Sequence, residues 1–251
     1  MNTFRVFDTL VAMRKEPSHR SEMVNELLYG EDIIITNRHN GWLQIKCAEY
    51  DYEGFIPESV QLDEISIKTN EPYRFVFTAS SMIRSKDGIK LDLPRGSRVR
   101  NEKTERGCFE TPDKINSISE IVKTAGFYLG NPYRWGGRTP FGIDCSGYTQ
   151  MVFMLNRLII PRDANQQVLL GDEVAFVSEA QPGDLAFFQN ENGEVIHVGI
   201  LLSNAEIIHA SGHVRIDNID HHGIFNKELN QYTHTLKVIK RMSVDALPSC
   251  M

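Results

Sequence analysis

No stretch of this chain is long and apolar enough to suggest a membrane-spanning helix, and no run of lysine or arginine stands out. With 27 basic against 33 acidic residues the formal net charge is −6, which argues against a nucleic-acid or anionic-membrane partner. A signal-peptide core is missing too. The longest apolar run among the first twenty residues is Leu10–Met13, set between Arg5, Asp8, Arg14, Lys15 and Glu16. Cysteine is scarce: Cys47, Cys108, Cys145 and Cys250 lie far apart and form no C-x-x-C pair. Free thiols are therefore expected rather than disulfides, and a cytoplasmic location with them.

What is present is an ordinary globular composition, 41% hydrophobic and 24% charged. At 251 residues the chain is long enough for one to three domains with real cores. Residues 1–62 read as short strands separated by turns, with Ile33–Ile35, Gly41–Lys46 and Gly54–Pro57 as strand segments. That spacing suits a small β-barrel. A second set follows, in which Tyr73, Phe75 and Phe77 alternate, as do Ile89, Leu91 and Leu93 after the turn Lys86-Asp87-Gly88.

A helix opens the last region. Ser117-Ile118-Ser119-Glu120 fits a capping box, Ile118, Ile121, Val122, Ala125 and Leu129 make the apolar face, and Gly130 with Pro132 ends it. The Gly-rich loop Tyr133–Gly147 leads to Cys145, and Tyr148, Met151, Val152, Leu155 and Leu158 then follow at helical spacing. Cys145 thus falls at a helix N-terminus, with Asp144 or Ser146 available as the cap. The helix dipole there favours a thiolate, the form that acts as a nucleophile. A buried core cysteine fits the same local pattern. Strands follow at Leu185–Phe188, Val195–Leu202, Ile207–Ala210 and Leu236–Lys240, with Asn192-Gly193 as a hairpin turn. Helices followed by antiparallel strands make an α+β domain.

Two histidines sit inside these apolar strands, His197 between Ile196 and Val198 and His209 between Ile208 and Ala210. Each alone fits a half-buried structural histidine. Together with Cys145 they fit thiol catalysis: His197 takes the thiol proton, and His209 holds its tautomer through the other ring nitrogen. The Cys and His spacing fits no structural zinc pattern.

Five segments occur in a fixed order over roughly residues 112–242: Tyr133-Arg134-Trp135-Gly136-Gly137, Asp144-Cys145-Ser146-Gly147, Pro182-Gly183-Asp184-Leu185, His197-Val198-Gly199-Ile200 and Ile208-His209-Ala210-Ser211. In this order they resemble the NlpC/P60 family of cysteine peptidases. The front half is similar to the bacterial SH3 domains that precede that catalytic domain. Glu16–Val24 followed by Leu27-Leu28-Tyr29-Gly30-Glu31 is similar to the γ-D-glutamyl-L-diamino acid endopeptidases with two such domains. The resemblance implies an α+β fold with a papain-like catalytic domain at 112–251, preceded by SH3-like β-barrels at 1–62 and 63–111. It implies a catalytic triad of Cys145, His197 and His209. Tyr133 and the Cys145 N–H would meet the oxyanion, and Asp144 and Ser146 the free amino end of the substrate. Glu22 and Tyr52 of the first barrel are candidates for the same amine, while Arg138 and Arg162 are among the candidates for substrate carboxylates. The implied substrate is a murein stem peptide, L-Ala-γ-D-Glu-diaminopimelate or its Lys counterpart, cut after γ-D-Glu in cell-wall recycling without metal or organic cofactor. The alternatives are a Cys-dependent hydrolase or amidase acting on intact wall, and a non-catalytic wall-peptide binding protein.

Overall fold

The computed structural model describes residues 2–65, 72–110, 118–243 and 247–248. It divides into two compact units, residues 1–113 with Trp135–Pro140, and residues 114–134 with 141–250.

In the first unit, strands β1 (Thr3–Val6), β2 (Leu10–Arg14), β3 (Met23–Leu28), β4 (Asp32–His39), β5 (Trp42–Cys47), β6 (Glu53–Pro57) and β7 (Leu62–Ile65) pair antiparallel in the order β3-β2-β6-β5-β4-β1-β7. Alternation explains them. In β2, Val11 and Met13 are buried while Leu10, Ala12 and Arg14 are half-buried. This is the SH3-like barrel expected at the start of the chain. Residues 72–110 supply β8 (Arg74–Val76), β9 (Ser80–Arg84), β10 (Lys90–Pro94), β11 (Arg98–Val99), β12 (Lys103–Arg106) and β13 (Phe109–Glu110). They pair as two separate three-stranded sheets, β10-β9-β12 and β11-β8-β13. The strands hold only two to five residues, too few for one sheet to continue into the other. Tyr29, Val76, Ile83, Leu93 and Val99 form the core they share with the barrel.

Within this unit a buried ion network ties the barrel to the segment 135–140, which holds β14 (Arg138–Thr139). Gly136 has φ +75°, and a Cβ there would lie 2.5 Å from the Met23 carbonyl oxygen, so only glycine allows the approach. Arg138 is fully buried. Its backbone N–H donates to Glu26 Oε2 at 2.8 Å, and its guanidinium donates to both Glu31 oxygens at 3.0 Å. Arg98 donates to Glu49 and lies 3.9 Å from Glu31. Burial pushes the Glu31 carboxyl up, but Arg138 and Arg98 outweigh it and hold the group below its ordinary value.

The second unit contains α1 (Ile118–Gly126), β15 (Gly142–Ile143), α2 (Cys145–Leu155), α3 (Ala164–Gln167) and strands β16 (Asp172–Val174), β17 (Leu185–Gln189), β18 (Val195–Leu201), β19 (Glu206–Ser211), β20 (His213–Ile219), β21 (Gly223–Asn226) and β22 (Gln231–Arg241). The larger sheet runs β16-β22-β17-β18-β19-β20-β21, and β22 also pairs with β21, so the sheet closes on itself. Helix α2 packs on β18 and β19. It is buried on every side rather than along one stripe, because sheet and neighbouring helices surround it. Helix α1 ends at Gly126, earlier than its apolar pattern implies. Leu129 is exposed in the turn that follows, and Ser117 of the expected capping box lies outside the described residues.

Glu31 tests the buried network. Its depressed folded pKa means that its stabilisation is complete above the ordinary carboxylate range and is lost as pH falls through the folded value. Glu31→Gln leaves two buried guanidinium groups under-compensated and should cost about 3–5 kcal/mol at neutral pH. Urea unfolding at pH 7 and pH 4 checks this: the gap between wild type and variant narrows at the lower pH.

Candidate active site

Asp144 starts the helix that carries the cysteine. Its backbone is extended (φ −91°, ψ 176°), and its Oδ1 accepts the Gly147 N–H at 2.6 Å. The cap is locked from outside the helix. Arg162 donates to Asp144 Oδ1 at 3.0 Å, to Asp144 Oδ2 at 2.6 Å and to Ser146 Oγ at 2.9 Å. Arg162 and Arg138, candidates in the sequence for substrate carboxylates, are both buried against carboxylates of the chain itself.

Cys145 occupies the first helical position, as its spacing predicted, and it is a free thiol like Cys47 and Cys108. Its surroundings oppose the pull of the helix terminus. Burial, and then the Asp144 carboxylate, push the thiol up to about 12. Backbone hydrogen bonds from Val198 and Ser146, and the charge of Arg162, act the other way without prevailing. The helix terminus supplies its pull, but desolvation is the larger effect. Burial therefore favours the neutral thiol, and a base beside it would take its proton.

That base follows from strand register. On β18 and β19, Gly199 pairs with His209. A Cβ at Gly199 would lie 2.8 Å from the His209 Cβ, so glycine makes room for the ring. His197 is two residues from Gly199 and thus on the same face, diagonal to His209. Its Nε2 lies 2.8 Å from His209 Nδ1. His209 Nε2 in turn lies 3.0 Å from Asp217 Oδ2 on β20. Burial pushes Asp217 up, yet His209 and Arg215 outweigh it and hold the carboxyl low, so Asp217 is an ionised acceptor. The tautomers then follow in turn. His209 carries its proton on Nε2 and presents a bare Nδ1, His197 donates to it from Nε2, and His197 Nδ1 is left with a lone pair. Burial is the first cause lowering both histidines, so both are neutral near pH 7. The Val198 hydrogen bond holds the sulfur beside the strand that carries this base.

Tyr133 enters the same unit through a parallel bridge to Ile143. Burial, then Cys145 and Asp144, raise its pKa, so the hydroxyl is a donor close enough to feel both groups. Glu22 and Tyr52 belong to the other unit. There Glu22 Oε1 accepts from the Trp135 indole N–H at 2.8 Å, and the Tyr52 hydroxyl donates to the Val24 carbonyl at 3.3 Å. The described residues of the second unit therefore bring together Cys145, His197, His209, Tyr133, Asp144 and Ser146. Asp217 was missed. Its signal was the Gly212 turn (φ +70°), which folds β20 back on β19 and pairs Asp217 with Ile207, diagonal to His209. Among the described residues no cluster of His, Cys, Asp and Glu could hold a metal ion.

Residues 130–234 match the NlpC/P60 family, and residues 13–60 match the bacterial dipeptidyl-peptidase Sh3 domain. The chain is 27% identical over 253 residues to a dipeptidyl-peptidase 6 of Lysinibacillus sphaericus, covering 85% of this chain and 91% of that protein. It is 27% identical over 212 residues to a gamma-D-glutamyl-L-lysine dipeptidyl-peptidase of Bacillus subtilis strain 168, covering 74% and 71%. In fold it is similar to the crystal structure of an NlpC/P60 family protein from Bacillus cereus ATCC 10987, with a TM-score of 0.80 at 20% identity over 95% of this chain and 99% of that one.

The tautomer chain predicts an inversion at Asp217. An asparagine there can donate its amide N–H to His209 Nε2 and so reverse every proton in the chain, leaving His197 Nδ1 protonated. Asp217→Asn should lower kcat by roughly 10²–10⁴-fold. Asp217→Ala, which leaves the tautomer unset, should be the milder change. Steady-state kinetics on both variants, with circular dichroism to confirm folding, decides the order.

Proposed function

The chain belongs to the NlpC/P60 family of cysteine peptidases through residues 130–234, and from that premise we propose that it is a cytoplasmic endopeptidase of cell-wall recycling. It hydrolyses the bond between γ-D-Glu and the diamino acid, diaminopimelate or Lys, in murein stem peptides with a free L-Ala. The observation that carries the chemistry is the hydrogen-bonded run His197, His209, Asp217 on the strands beside the Cys145 sulfur. The substrate class is supported by the names of the relatives that cover most of both chains. We also read residues 63–111 as a second SH3-like barrel, supported by the two small sheets around Val76, Ile83, Leu93 and Val99.

In this proposal the thiol proton passes to His197 Nδ1 as the sulfur attacks the γ-glutamyl carbonyl carbon. The oxyanion meets the Cys145 N–H and the Tyr133 hydroxyl. Collapse breaks the C–N bond, and the diamino acid leaves with the proton from His197. Water then gives a proton to His197 and attacks the thioester, and the released sulfur recovers the proton. Asp144 links the substrate's amino end to this chemistry. Its charge is the second cause holding the thiol proton in place. An ammonium group set against it would offset that effect and lower the thiol pKa in the complex.

Mass spectrometry on L-Ala-γ-D-Glu-meso-diaminopimelate and on its N-acetylated form, each with wild type and Cys145→Ala, tests the proposal. The expected result is cleavage of the free peptide alone, by wild type alone. Equal cleavage of both peptides removes the amine requirement, and comparable release from purified sacculi moves the site of action to intact wall. Cleavage by Cys145→Ala at the wild-type rate ends the thiol mechanism.

A further inference from the structure

A third histidine lies against the base and has no part in the mechanism above. The His234 ring stacks on His197 with centroids 4.1 Å apart and planes 27° from parallel. Register explains how β22 delivers it. Phe188 pairs with His197 on one side and with Leu236 on the other, so His234, two residues from Leu236, shares their face. The strand is irregular on both sides of His234. Its pairing with β17 skips Lys237, and its pairing with β21 skips Thr233. Such bulges re-aim a side chain out of the regular pleat. Thr233 then holds the result, its Oγ1 lying 2.9 Å from His234 Nδ1.

We propose that His234 is a positioning residue whose ring, clamped flat against His197, fixes the plane of the base for proton transfer from the thiol. The inference rests on Cys145 and His197 being thiol and base. Every element around the pair restricts it. Phe188 of β17 lies 5.7 Å from His197 and 5.9 Å from His234, while the His209 ring of β19 meets each of the two edge-on, at 5.0 Å and 5.7 Å. Ile224 of β21 pairs with His234 across the strands, and Asp217 of β20 is the nearby negative charge. Burial, and then His209, bring His234 down to about 4, with Asp217 opposing. The clamp is thus neutral when the enzyme works, and His197 can become an imidazolium without a second cation stacked on it. Phe188 and His209 touch His197 at a tilt or edge-on; His234 gives it a nearly parallel face. A base free to turn about its ring bond would lose the near-attack geometry that makes proton transfer efficient.

The test compares His234→Ala and His234→Phe with wild type and Cys145→Ala, using the free stem peptide and a full pH–kcat profile. His234→Ala should lower kcat about ten- to a hundredfold with KM little changed. It should also shift the acid limb upward, because a better hydrated His197 regains an ordinary pKa. His234→Phe keeps the flat apolar face and should restore both kcat and the limb. If His234→Ala unfolds, His234→Leu, which fills the space without a flat face, should show the same loss of kcat. Wild-type kcat and an unmoved limb in the truncated variant overturn the inference, as does a Phe variant as impaired as Ala. Activity in Cys145→Ala would instead overturn the thiol reading on which it rests.

Discussion

Asp217 accepts a hydrogen bond from His209 Nε2 at 3.0 Å, and that bond carries a direction. A buried carboxylate held below its ordinary pKa can only accept. The two imidazoles beyond it must each donate toward it and present a bare nitrogen away from it. The basicity of His197 Nδ1 is thus set at the far end of the chain, on β20. Three neighbouring strands, β18, β19 and β20, carry the three members. Their positions on one face follow from the pairings of Gly199 with His209 and of Ile207 with Asp217. The closed sheet is the part of the fold that the chemistry depends on.

The site keeps its charges paired and its reactive groups neutral. Asp144 and Arg162 form a bidentate, buried ion pair that caps α2, and Asp217 meets Arg215. Cys145, His197 and His209 are buried, which favours their neutral forms. Moving a proton from sulfur to nitrogen in such a site creates an ion pair where water is excluded. The Cys145 and Tyr133 donors, the Asp217 carboxylate and the neutral His234 face are the groups that would stabilise it. The first unit follows the same rule. Arg138 and Arg98 are buried only because Glu26, Glu31 and Glu49 receive their hydrogen bonds.

Cys145, His197 and His209 are legible as candidates because each stands out against an apolar background at a position where strand or helix spacing can be read. Asp144 was legible as a cap for the same reason. Asp217 and His234 were not, because they lie on β20 and β22 among polar and charged residues, where period-2 alternation is weak. Irregularities at Thr233 and Lys237 interrupt the alternation of β22 on either side of His234. For the thiol, helix position favours the anion and burial the neutral form; the first is local and legible in sequence, the second is not. Only the packed structure shows that Cys145 is enclosed. The partners of Arg138 are equally hidden from the sequence, since the carboxylates that meet it lie more than a hundred residues away. The first barrel was readable from its alternating strands, whereas residues 72–110 carry strands too short to declare how they pair.

Burial and the direction of the hydrogen bonds favour a resting site with a neutral thiol and an ordered pair of neutral imidazoles. Nitrogen-15 NMR of histidine-labelled protein at pH 7, assigned with single-histidine variants, measures this directly. His197 and His209 should both be neutral, each protonated on Nε2 and bare on Nδ1. An imidazolium signal for His197 at pH 7, abolished in Cys145→Ala, would show a resting thiolate–imidazolium pair and contradict it.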